Sequence, residues 1–147
     1  MDGIGQEELY RQLVQECNDA IMFSDRQGVI RLWNRGAERM LGFSAEEAIG
    51  QSLDIFIPEN QRARHWEGYH RVMETGSTRY SKDLLAAPAL CKDGTRISTE
   101  FSMTVIRDAA GNVAGTAAVM RDVTARWQKE KSLRTRLAEL EKACCEG

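Results

Sequence analysis

Membrane-spanning length is the first thing missing from these 147 residues: no apolar run approaches the roughly 18 residues that a span needs. The opening stretch MDGIGQEELYRQ also lacks the charged and apolar regions of a signal peptide. Both absences lead to the expectation of a cytoplasmic protein with no membrane partner. Excess charge of one sign is missing too, since 20 basic against 22 acidic side chains leave a formal charge of −2. Without a basic field, direct nucleic-acid binding is not expected. The four cysteines, Cys17, Cys91, Cys144 and Cys145, form no CxxC pair and no zinc spacing, and read as small apolar residues in a reducing compartment. A glycine-rich phosphate loop, HExxH and GxSxG are all absent, so the chain is not expected to be an enzyme.

What is present follows a definite order. From Glu7 to Asp19 the residues Leu9, Tyr10, Leu13, Val14 and Cys17 recur at steps of three and four, which predicts a helix with one buried stripe. AIMFSD and VIRLWN, joined by RQG, predict a hairpin. RGAERMLGFSAEEAIG predicts two short helices, the first closed by Gly42, the second opened by a Ser44/Glu47 capping box and ended by Gly50. After Pro58 a longer helix runs to about Thr75, where Gly76 stops it. DLLAAPALCK, TRISTEFSMTVIRD and NVAGTAAVMRDVT predict three antiparallel strands turning at KDG and DAAGN. Ile97, Phe101, Met103 and Val105 alternate onto one face of the middle strand, and Pro88 places its own strand at an edge or a bulge. Finally ARWQKEKSLRTRLAELEKACC, free of glycine and proline, spaces Leu133, Leu137, Leu140 and Cys144 by four, three and four, a short heptad seam that predicts a homodimer.

This order, together with WNRGAERMLGFSAEEAIGQ, the KDG turn and MRDVT leading into the last helix, resembles the PAS family over about residues 7 to 124. The resemblance implies an α+β fold, a five-stranded antiparallel sheet flanked by short helices, with an N-terminal amphipathic helix and a C-terminal coiled-coil helix. It divides the chain into a cap at 1–19, the PAS domain at 20–124 and a signalling helix at 125–147. It implies a sensory, signal-transduction module acting through a homodimer or through a downstream kinase or regulator protein in trans. Gly36 stands where the family more often has alanine.

Flavin-binding light sensors of that family carry a reactive cysteine in an NCRFL-like segment; QSLDIFI puts Leu53 at that position, so no flavin photoadduct is expected. Haem-binding members hold iron through a histidine on the longer helix. On a helical wheel Val72, His65, Tyr69, Met73 and Trp66 share one arc, while Glu67, Arg71 and His70 fall outside it. A buried imidazole must satisfy two ring nitrogens, and iron, a backbone carbonyl and water are all open to it. The spacing from His65 through METG to KDG is similar to that of the oxygen-sensing haem PAS domains of the nitrogen-fixation type, and His65 falls on their iron-ligand position. The resemblance therefore implies haem b with His65 as its metal ligand, a diatomic gas opposite, and Tyr69 and Val72 beside the cofactor. It sets Arg71 and Arg79 against the propionates, with Leu85, Phe101 and Met103 lining the distal side. The step from His65 to Tyr69 is one residue longer than the family's H-x-x-Y, and Leu85 replaces the distal arginine. The alternative is a haem-free interaction and dimerisation adaptor whose pocket is empty or holds a small apolar ligand. His70 is expected at a solvated helix edge, and Trp33 and Trp127 as packing anchors, with Trp127 tying the sheet to the last helix.

Overall fold

A computed structural model describes residues 3–78 and 84–146. In chain order its elements are α1 (Gln6–Gln15), β1 (Ala20–Asp25), β2 (Ile30–Trp33), α2 (Arg35–Leu41), α3 (Ala45–Ala48), a 3₁₀ turn at Leu53–Ile55, α4 (Glu59–Thr75), β3 (Leu85–Leu90), β4 (Arg96–Arg107), β5 (Val113–Asp122) and α5 (Thr124–Glu146). The strands form one antiparallel sheet in the order β2-β1-β5-β4-β3, which is the expected α+β architecture. β3 lies at an edge, so Pro88, paired with Ser98, needs no donor on its outer side. Among the described residues no helix is long and apolar enough to cross a membrane.

Local chemistry explains the tight first half. Asp25 accepts from the backbone of Gln27 (2.9 Å) and Val29 (3.1 Å) and so closes the β1–β2 hairpin. Asn34 is fully buried; its Oδ1 caps α2 at Ala37 (2.9 Å) and accepts from Ile21 (2.8 Å), while its Nδ2 donates to the carbonyls of Val14 (2.7 Å) and Asp19 (3.0 Å). One side chain thus ties the end of α1 to β1 and α2. Beside it, a Cβ on Gly36 would collide with the Asp19 carbonyl, so glycine here permits close approach of two backbones. Ser44 and Glu47 form the expected capping box on α3. Trp33 is buried and donates its Nε1–H to the Phe43 carbonyl (2.9 Å), as an anchor should.

Strand alternation puts Met22 and Ser24 of β1, Ile97, Thr99, Phe101, Met103 and Val105 of β4, and Thr116, Ala118 and Met120 of β5 on one face. The helices α2 to α4 complete the core on that face, with Leu41, Ala48, Tyr69, Val72 and Met73 in one cluster with Met22, Trp33, Ile97 and Met120. Two expectations need correction. α1 fully buries none of its residues: Leu9 and Val14 of its apolar stripe are half-covered while Tyr10 and Leu13 are exposed, since periodicity marks a face suited to burial and the described residues cover only part of it. Trp127 is half exposed, its ring under the Lys131 ammonium at 5.1 Å instead of on the sheet. The start of α5 is tied to β4 by other groups: the Thr124 hydroxyl accepts from Ser98 N–H (2.9 Å), and Arg126 pairs with Glu100.

Candidate functional site

The helix α4 is fixed at three places, and His65 sits among them. Near its start, Arg62 donates to the Ile57 carbonyl (3.0 Å), and Trp66 donates its Nε1–H to Asp54 Oδ1 (2.8 Å) with its ring lying against Gly28 of the hairpin. In its middle, Tyr69 reaches across to β1, where its hydroxyl meets Ser24 Oγ (2.9 Å) and donates to the Asp25 carbonyl, with Thr116 of β5 joined through Ser24 (3.5 Å). At its end, Arg107 of β4 donates to the carbonyl of Gly76, the left-handed residue that closes the helix. Ser24 and Thr116 are buried and polar, and their hydrogen bonds are what allow the Tyr69 hydroxyl to be buried as well.

His65 is half-buried between Trp66 (ring centroids 4.8 Å, 74°) and Tyr69 (5.7 Å, 38°). Burial holds its pKa below the ordinary imidazole value; the Asp54 carboxylate opposes this and His70 reinforces it. At neutral pH the ring is neutral, with one nitrogen protonated and the other an acceptor. Its Nδ1 is buried, and no group among the described residues hydrogen-bonds to it. An orphan of this kind costs about 1–3 kcal/mol, so the site is poised to gain from a partner. Across the inner sheet face, Leu85 lies opposite Phe101, Phe101 opposite Met120, and Met103 opposite Ala118. Ile97, Thr99 and Met120 on this face are buried, whereas Leu85, Phe101, Met103 and Val105 are only half-covered. The face is therefore buried at one end and only half-covered at the other.

Of the residues singled out from sequence, Tyr69, Val72 and Phe101 pack with the core, and Leu85 and Met103 extend the same sheet face. Arg71 is exposed and paired with Glu67 (3.4 Å), outside the buried stripe. Arg79 lies outside the described residues. His70 is exposed, as expected. Sequence reading passed over Ser24, Thr116 and Asp54; the signal for the first was a polar residue at an inward position of the alternating strand AIMFSD. Among the described residues no group of three or more His, Cys, Asp or Glu side chains could hold a metal ion. A metal held by His65 alone would have to arrive with most of its coordination already filled, as in a tetrapyrrole, which His65 would hold through its imidazole. A neutral, half-buried imidazole whose Nδ1 has no partner among the described residues, and a half-covered apolar sheet face, fit such a group.

Comparison with known proteins agrees with the fold. The family model described as the PAS fold matches residues 8–123. Sensor protein FixL of Bradyrhizobium diazoefficiens is 28% identical over 130 residues, covering 88% of this chain and 25% of the relative. Oxygen sensor protein DosP of Escherichia coli K12 is 29% identical over 131 residues, covering 89% of this chain and 16% of the relative. This chain thus spans a quarter or less of the length of these relatives. A PAS domain from Colwellia psychrerythraea superposes with a TM-score of 0.72 at 25% identity, over 82% of this chain and 99% of that one.

Proposed function

This chain belongs to the PAS family, and from that premise we propose that it is a sensory module whose ligand lies between α4 and the half-covered inner face of β3–β5. The observation that carries the reading is the buried Nδ1 of a neutral His65 on α4, which has no partner among the described residues. The sharper form is haem b with His65 as the iron ligand; DosP, a relative at 29% identity, is named an oxygen sensor. Haem bound there would supply an iron able to take a diatomic gas. The remaining work belongs to side chains of this chain. Neutral His65 offers a lone pair without having to lose a proton, and Trp66 and Tyr69 hold its ring in place. Leu85, Phe101 and Met103 exclude water and offer no charged donor on the sheet side. Arg71 takes a ligand carboxylate at the rim by leaving its exposed partner Glu67.

Output runs through β4. The strand that carries Phe101 and Met103 inward also carries Ser98 and Glu100, which hold Thr124 and Arg126 at the start of α5. A ligand that shifts β4 therefore moves the root of the helix that we read as signalling, either within a homodimer or onto a kinase or regulator in trans. The division at residues 19/20 and 124/125 belongs to this proposal. A second reading, a haem-free adaptor, is favoured by one observation: Tyr69, Val72 and Met73 already pack as continuous core.

The two readings separate on a visible spectrum of protein supplied with haem. A Soret band that is lost in His65→Ala, with far-UV circular dichroism unchanged, is expected. A colourless protein, or a band that His65→Ala leaves intact, would overturn the haem form.

A further inference from the structure

We propose that α5 pairs with α5 of a second copy as a parallel, in-register two-stranded coil, which sets Cys144 opposite its own counterpart as a thiol pair that a small disulfide can lock. This rests on the homodimer within the reading above and adds the direction, register and redox chemistry of the contact.

Leu133, Leu137 and Leu140 are 57, 58 and 60% exposed, and none of α5's described residues is buried. A helix of 23 residues with an uncovered apolar stripe asks for a partner with the same stripe. With Leu137 and Cys144 at a positions and Leu133 and Leu140 at d, Arg136 falls at g and Glu141 at the following e. In a parallel pair each g side chain meets the e side chain five residues later across the seam, so Arg136 meets Glu141 of the partner subunit, twice by symmetry. An antiparallel pair sets g against g and e against e, forms no such pair, and sends the cysteines to opposite ends. The preceding step, Lys129 against Arg134, is repulsive, and Arg126 is engaged by Glu100 and Glu130, so the coil closes from Leu133 onward.

In that register the two Cys144 residues share an a layer and face each other across the seam, as the halves of a disulfide must. Cys144 and Cys145 are both exposed, and only the first lies on the seam. The oxidant is a low-molecular-weight disulfide. One Cys144 thiolate attacks it and releases one small thiol. The counterpart's thiolate then attacks the mixed disulfide and releases the second. Both protein sulfurs are oxidised, the small disulfide is reduced, and the two protons leave on the two small thiols.

The test incubates the full chain with oxidised glutathione and reads covalent dimer on a denaturing, non-reducing gel, with mass in solution from light scattering. A dimeric mass is expected in all cysteine variants, with the covalent dimer kept in Cys145→Ser and lost in Cys144→Ser. Arg136→Glu should weaken the dimer about fivefold, and adding Glu141→Arg should restore it. A non-covalent dimer that cross-links through Cys145 or not at all, or a charge swap that fails to restore affinity, overturns the parallel register and leaves the homodimer standing. A monomer at every concentration removes both.

Discussion

Asn34 illustrates the residue scale, because one side chain satisfies backbone groups of Val14, Asp19, Ile21 and Ala37 and so joins α1, β1 and α2. Asn34→Ala is expected to cost about 3 kcal/mol, the lost cap plus orphaned buried amides and carbonyls, read as a lower urea midpoint with unchanged slope. Gly36→Ala nearby should cost about 1–3 kcal/mol, since the new methyl meets the Asp19 carbonyl and one backbone segment has to yield. The same measurement checks it, and no loss of stability would show that α2 shifts freely. His65 predicts a pH dependence. Its folded pKa lies below the ordinary value of about 6.5, so on acidification the unfolded chain takes the proton first. Stability should therefore begin to fall as pH drops through about 6.5 and continue to fall down to the folded value. His65→Leu should flatten that part of a Tm profile taken between about pH 7.5 and 5.5.

For the elements, legibility depended on how local the cause was. α4 was readable in type and extent because Pro58 precedes it and Gly76 closes it, both signals within a few residues of the helix ends. The capping box of α3, the edge position of Pro88 and the inward face of β4 were legible for the same reason. The pairing of β1 with β5 was not: it joins residues about 90 to 100 positions apart, from Asp25 with Gly115 to Ala20 with Met120, and with it went the Ser24–Tyr69–Thr116 cluster. The stripe of α1 was visible, but what covers it is not encoded in its own periodicity. The contact of Trp66 with the hairpin was equally hidden, and it supports a prediction. Gly28→Ala forces a left-handed φ of 76° on a residue with a Cβ and drives that Cβ into the indole. A loss of about 2–4 kcal/mol is expected, with a change in tryptophan emission as Trp66 is displaced. Unchanged emission would mean that the start of α4 does not rest on the hairpin.

At the scale of the molecule, the half-covered inner sheet face and the uncovered helix α5 are joined by one strand, β4. Leu137→Asp should leave a folded monomer, with Tm within about 2 °C of the parent, because α5 contributes nothing to the core. Light scattering reads the mass, and an unchanged dimer would move the interface elsewhere, to α1 or the outer face of the sheet. The central claim is that the imidazole at position 65 is what holds the ligand, and rescue tests it most directly. His65→Gly removes the imidazole and opens space for a free one, at a helix cost of about 1 kcal/mol. Reconstituted with haem, this variant should lack the Soret band of the parent and regain it, saturably, on titration with imidazole. A band already present in His65→Gly without imidazole, or none restored by it where the parent shows one, would contradict the account.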